Sequence, residues 1–187
     1  MTERKREILQ TAVEMIAVGG YSSLTMRALA RACGIKLGTL QFHFRTSDEL
    51  LRAVVDYIAA AYRSSFSPLL DRKSPPELSE IVDFVLDDAA GAALSGDRLW
   101  PQLWAMQQVE PLVSDLLEDV YASYLEILEQ SLARAGSLSP RDEALALISM
   151  LEGSTIFLGH GRRWSAHAES VRGWVQQLVY ERYGGRS

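Results

Sequence analysis

The stretch Thr25–Phe44, TMRALARACGIKLGTLQFHF, constrains the fold more than any other part of the chain. Met26, Leu29, Ala30 and Cys33 recur at helical spacing and predict one apolar face. Thr25 precedes that face, where its hydroxyl can cap the free N–H groups of a first helical turn. Gly34 follows the last periodic residue, the place where a left-handed backbone position ends a helix. Ile35 then turns back toward the core, and Lys36 to His43 predict a second helix anchored by Leu40. Helix, glycine turn, helix is the helix-turn-helix pattern, whose second helix can enter a DNA major groove.

Charge is distributed in keeping with that pattern. Residues 1–47 hold Arg4, Lys5, Arg6, Arg27, Arg31, Lys36 and Arg45 against Glu3, Glu7 and Glu14, a local net of +4. The formal charge of the whole chain is −5, so residues 48–187 carry −9. A basic head on an acidic body fits a head that meets phosphate. Clustering on a solvated surface would give the same count without a partner.

Composition narrows the class. With 187 residues, 48% hydrophobic and 23% charged, the chain suits one packed domain or two small ones sharing a core. The N-terminus, MTERKREILQ, is charged and does not read as a signal peptide. The best apolar run, Ala144 to Leu151, stops at Glu152, short of a membrane span. A cytoplasmic location is the default expectation. The one cysteine, Cys33, excludes an internal disulfide and a Cys-based zinc site, and reads as a small buried hydrophobe. No metal or cofactor is expected. The histidines His43, His160 and His167 are scattered, and no paired acid/base motif, metal spacing or phosphate loop is present, so an enzyme is not expected.

Taken in order, the chain predicts helices and no strands. The first runs from about Thr2 to Val18, with Ile8, Ala12, Met15 and Ile16 inside and Gly19-Gly20 as its stop. Tyr21 is expected to pack back on the bundle. After the helix-turn-helix, Thr46-Ser47-Asp48-Glu49 is a capping box, in which the Glu49 carboxylate reaches back to the cap N–H. That helix is expected to continue to about Phe66, with a break at Pro68 and Ser74-Pro75-Pro76. Further helices are expected from Pro76 to Leu94, Arg98 to Val109, Pro111 to Ala135, Ser139 to Gly159 and His167 to Tyr183.

The helix-turn-helix stretch resembles the tetracycline-repressor (TetR) family of one-component transcriptional regulators. The resemblance rests on Thr25, Arg27, Leu29-Ala30, Ala32, Gly34-Ile35, Gly38-Thr39-Leu40, His43-Phe44, Thr46 and Glu49-Leu50. It covers roughly the first quarter to third of the chain, where small residues, glycines, anchors and caps fall in register. Four positions depart from the family pattern: Ala28, the Lys36-Leu37 opening of the second helix, Gln41-Phe42, and Ser47. The resemblance implies an all-α fold of about nine helices. It also implies a helix-turn-helix DNA-binding domain at 1–47 and a helical effector-binding and dimerisation domain at 48–187.

Particular residues follow from these readings. Lys36 and Thr39 stand at the exposed start of the second helix, within reach of base edges or phosphates. Gly38 lets backbone approach the sugar-phosphate chain. Gln41 suits an adenine or a phosphate, and Phe42 a thymine methyl or a sugar. Arg27 and His43 are phosphate candidates, and Thr25, Leu37 and Arg45 complete the expected DNA-facing set.

In the body, Phe84, Trp100, Trp104, Met106, Tyr121, Tyr124, Met150 and Phe157 are large and fall mostly on central helices. They either fill the core or line a cavity for a small, largely apolar or aromatic effector. Asp87, Asp88, Glu110 and Glu152 could place a carboxylate beside it, which would suit a cationic one. Leu147, Leu151, Ser154 and Leu158 form one stripe, and Val171, Trp174, Val175 and Leu178 another. Two such helices per subunit would meet their copies as a four-helix bundle in a homodimer. A dimer supplies two recognition helices, and so a near-palindromic operator. The expected function is a ligand-responsive regulator, a repressor released by its effector. The alternative is a helix-turn-helix adaptor without a ligand.

Overall fold

The computed structural model describes residues 1–70, 76–86, 94, 98–159 and 161–183. Among them the chain is all-helical, with nine α-helices and no strand. They are α1 Glu3–Gly19, α2 Met26–Ala32, α3 Leu37–His43, α4 Ser47–Leu70, α5 Leu78–Leu86, α6 Leu99–Met106, α7 Pro111–Arg134, α8 Pro140–Leu158 and α9 Ala168–Tyr183. Short 3-10 turns occupy Tyr21–Ser23 and Ser165–His167. None of the helices is long and apolar enough among the described residues to cross a membrane.

The chain divides into two compact units. The first comprises Met1–Ser64 and Gly91–Glu118, the second Ser65–Ala90 and Asp119–Ser187. The helix-turn-helix shares its unit with most of α4, with α6 and with the start of α7.

In the first unit α1 is the central post. Ile8, Leu9, Ala12, Val13 and Ile16 are buried along one side of it. Leu29 and Ala30 of α2, Leu40 of α3, and Leu50, Val54 and Ile58 of α4 complete that core with Leu99 and Leu103 of α6. Helix starts are specified by caps. Thr2 Oγ1 accepts from Lys5 N–H at 3.3 Å, and Thr25 Oγ1 from Ala28 N–H at 3.1 Å. At α4 the Thr46 hydroxyl accepts from Glu49 N–H at 3.1 Å. The Glu49 carboxylate reaches one residue further back than expected, accepting from Arg45 N–H at 2.9 Å. It thereby ties the end of α3 to the start of α4.

Two expected boundaries move. Lys36 is the cap of α3 and not its first helical residue, with an extended backbone at φ −71°, ψ 147°. Pro68 does not break α4, which runs through it to Leu70; a proline near a helix end removes one backbone bond, a loss the last turn can carry. Of the fifth predicted helix, α5 covers Leu78–Leu86. Ser74-Pro75 and the continuation over 87–93 lie outside the described residues, as do Asp87, Asp88 and His160.

In the second unit, α5, α8, α9 and most of α7 share a core of Ile81, Val82, Tyr124, Leu128, Leu132, Leu147, Leu151, Val175 and Val179. Polar ties fix their ends. The Ser131 hydroxyl and the Arg134 guanidinium both donate to the Pro76 carbonyl, each at 2.9 Å. At the other end of this unit's chain, Arg182 donates to Glu143 at 2.6 Å and the Tyr183 hydroxyl donates to the same carboxylate. Hydrogen bonds from Ser137, Tyr183 and Arg182 hold the Glu143 carboxyl down at about 2, against an ordinary value of 4.5.

Two predictions follow from the caps and ties. A carboxyl whose folded value is depressed stabilises the fold above its unfolded value and loses that contribution as pH falls toward the folded one. The window for Glu143 is therefore pH 4.5 down to about 2. Thermal unfolding of Glu143→Gln across this window should show a shallower acid loss than the parent, and parallel curves would contradict the assignment. Thr25→Ala removes the α2 cap and should cost about 1 kcal/mol. For a chain of this size that lowers Tm by about 2–4 °C in a thermal melt.

Candidate nucleic-acid interface

The turn between α2 and α3 is built by backbone geometry. Gly34 has φ +64°, a left-handed position that a side chain would strain. Its N–H donates to the Arg31 carbonyl at 3.0 Å, and Ile35 N–H donates to Ala30 at 2.9 Å. This pair of bonds is the Schellman closure of a helix, and it sets the direction in which α3 leaves.

Helix α3 has one buried side and one open side. Leu40 and, just past the helix, Phe44 are fully buried. Lys36, Gly38, Thr39, Gln41 and Phe42 are exposed, and Phe42 is 85% so. Leu37 and His43 are intermediate, and the His43 ring stands edge-on to Phe42 with centroids 5.5 Å apart. Thr25, Arg27 and Arg45 are exposed as well. All ten residues expected to face DNA thus lie in or beside this short stretch, with Leu37 and His43 partly covered.

The basic charge of the head divides into two groups. Arg4 pairs with Glu7 at 2.7 Å and also donates to the Cys33 carbonyl at 3.3 Å. Arg6 pairs with Glu3 at 2.6 Å. The Lys5 ammonium lies 5.0 Å from the centre of the Phe44 ring. These cations brace α1 internally and against the helix-turn-helix. Among the described residues, Arg27, Arg31, Lys36 and Arg45 have no carboxylate partner, so these four are the charges left for an outside anion. A sequence count could not separate the two groups.

The residues expected around an effector belong to both compact units. Trp100 and Met106 are buried and Trp104 half-buried in the first unit. There Trp100 meets Tyr62 of α4 at 4.8 Å between ring centres and stacks on Trp104 at 6.5 Å. Tyr62 is buried on α4. In the second unit, Tyr124 is buried against Tyr121 at 6.4 Å, while Phe84 and Met150 are intermediate. Phe157, 54% exposed, pairs with the exposed Trp164 at 6.1 Å between ring centres. A hollow of about 370 Å³ does occur in the second unit, between the start of α5, the end of α7 and α9. Pro76, Ser131, Arg134, Gln176, Tyr180 and Tyr183 are among its walls, and none of the eight expected residues is.

The expected dimer stripes also divide. Leu147, Leu151 and Val175 are buried within the protomer itself, where α8 and α9 both pack against α5. Ser154, Leu158, Val171 and Leu178 are intermediate. Trp174 of α9, at 58%, is exposed, as are Ile156 and Phe157 of α8 and Trp164 in the connection between the two helices.

Comparison with known proteins agrees with this geometry. Residues 8–54 match the model of the bacterial regulatory proteins of the tetR family. The chain is 32% identical over 57 residues to the HTH-type transcriptional regulator YerO of Bacillus subtilis, a match spanning 30% of this chain and 20% of that protein. It is 24% identical over 164 residues to the nucleoid occlusion factor SlmA of Vibrio atlanticus, covering 82% of each. The structure of a transcriptional regulator of Saccharomonospora viridis in complex with choline superposes with a TM-score of 0.77 at 20% identity, over 96% of both chains. The helix-turn-helix thus lies in the segment that matches the tetR-family model, and the helices behind it share the fold of the Saccharomonospora viridis regulator.

Proposed function

We propose that the chain binds a near-palindromic operator duplex as a homodimer and represses transcription until a small effector releases it. The observation that carries this reading is the exposed side of α3. Lys36, Gly38, Thr39, Gln41 and Phe42 stand open there while Leu40 and Phe44 anchor the helix from behind. An 85% exposed phenylalanine is costly on a surface that meets only water, and it is suited to thymine methyls and sugars. Arg27, Lys36 and Arg45 supply phosphate contacts, and Thr25 and His43 flank them. Residues 1–47 serve as the DNA-binding head and residues 48–187 as the effector-binding and dimerising body.

Dimerisation is supported by the apolar residues of α8, α9 and the connection between them. Ile156, Phe157, Trp164 and Trp174 are large and exposed, and the Phe157 and Trp164 rings pair at 6.1 Å. Ser154, Leu158, Val171 and Leu178 border them on the same helices. For the effector, the neighbouring rings of Tyr62, Trp100 and Trp104 are the best-supported aromatic group, with Met106 on the same α6. Aromatic faces suit an organic cation, and choline, held by the Saccharomonospora viridis regulator, is one. The ligand-free adaptor is the second reading, favoured by a hollow whose walls include none of the aromatic residues expected around a ligand. A ligand that lowers operator affinity separates the two.

The DNA-binding reading is tested by selecting duplexes from a genomic pool and titrating the best one against salt. Lys36→Ala should weaken binding and reduce the slope of log K against log salt by about 0.9, the share of one phosphate contact. An unchanged titration would remove Lys36 from the interface. Trp174→Glu should convert the dimer to monomer at micromolar concentration, because a buried unpaired charge costs about 3–5 kcal/mol. Sedimentation reads the result, and an intact dimer would place the interface elsewhere.

A further inference from the structure

The corner that leads into the helix-turn-helix is held from a distance. Gly20 ends α1 at φ +76°, and the 3-10 turn Tyr21–Ser23 follows. Ser23 Oγ donates within this corner, with the Met15 carbonyl at 2.9 Å and the Gly20 carbonyl at 2.7 Å. The Tyr21 hydroxyl leaves the corner and donates to Glu110 Oε1 at 2.7 Å, across 89 residues of sequence. Burial, and then the bond to this carboxylate, push the Tyr21 phenol up to about 12, so it stays a donor throughout the physiological range.

Glu110 is itself fixed. Its N–H donates to the Met106 carbonyl at 2.9 Å, and its own carbonyl accepts from Val113 and Ser114 at 2.9 and 3.1 Å. It is therefore the rigid joint where α6 ends and α7 begins. A second contact lies nearby: a Cβ at Gly20 would stand 3.3 Å from the Gln102 side-chain oxygen of α6. Two successive residues of the entry corner thus meet the α6–α7 segment, one by close approach and one by a charge-assisted hydrogen bond. All of these residues belong to the first compact unit.

We propose that Tyr21 is a positioning residue for DNA binding, which fixes the entry of α2, and through it the attitude of α3, to the α6–α7 joint by its hydrogen bond to Glu110. Tyr21 touches no DNA in this arrangement. The bond acts by limiting how far the corner can rotate before the recognition helix is seated, so its loss raises the ordering cost of binding. The proposal rests on the DNA-binding reading above and adds a long-range contact to it.

The test uses the full-length chain and the duplex that the parent selects from a genomic pool. Tyr21→Phe keeps the ring and removes only the donor. It should weaken that duplex roughly three- to tenfold, the range of one net hydrogen bond. Its salt slope should equal the parent's, because no phosphate contact is lost. Glu110→Gln keeps an acceptor oxygen and should return near-parent affinity, while Glu110→Ala should match Tyr21→Phe. All affinities are measured well below each variant's Tm, where a merely stabilising contact would leave them unchanged. Parent affinity in both Tyr21→Phe and Glu110→Ala would overturn the proposal, and so would a reduced salt slope, which would make Tyr21 a phosphate contact. If Tyr21→Phe fails to fold, Glu110→Ala decides alone. A parent that retains no duplex overturns the DNA-binding reading itself.

Discussion

A helix of seven residues does not hold itself in water. Nucleation is too costly, and only tertiary burial makes up the difference. Helix α3 therefore exists because Leu40 and Phe44 are buried against α1 and α2. Each such side chain contributes about 1.5–3 kcal/mol on burial. Everything attributed to the interface depends on this anchoring, since it turns Lys36, Thr39, Gln41 and Phe42 outward. The left-handed Gly34 and its Schellman bonds then set the angle between α2 and α3 without any side chain.

Helix α1 is more than a platform for that pair. Its first turn carries cations that face inward as braces: Arg4 on the Cys33 carbonyl at the end of α2, Lys5 over the Phe44 ring at the end of α3. A guanidinium on a helix C-terminal carbonyl also meets the negative end of the helix dipole. The two ends of the recognition pair are thus pinned by one turn of α1. Glu3 and Glu7 neutralise Arg6 and Arg4 beside them. The field offered to an outside anion comes from the cations that remain, on α2, at the α3 cap and after α3.

The aromatic residues sort by what surrounds them and not by their helix. Tyr62, Trp100 and Trp104 are neighbouring rings inside the first unit, and α6, which carries the two tryptophans, ends at Met106 close to Glu110. A ligand that bore on these rings would act on the same segment that holds the entry corner of the helix-turn-helix. Coupling of that kind is limited by the ligand's differential affinity for two arrangements of the segment. Phe157, Trp164 and Trp174 stand outside, where their area is available to a second copy.

Local sequence determined most of the secondary structure and the recognition motif. Caps such as Thr25 and Thr46, breakers such as Gly34 and Gly20, and apolar spacing all act within a few residues, so they are legible in one dimension. The outward residues of α3 were legible for the same reason: a helix with one buried anchor at Leu40 has only one way to face. Tertiary structure alone decided which cations are spent as braces, since the Cys33 carbonyl and the Phe44 ring approach Arg4 and Lys5 only once α1 packs on the motif. It decided that Leu147, Leu151 and Val175 serve the protomer's own core, because helical periodicity marks an apolar side but does not name what covers it. It also decided the Tyr21–Glu110 bond, for which 89 intervening residues leave no periodic or local signal.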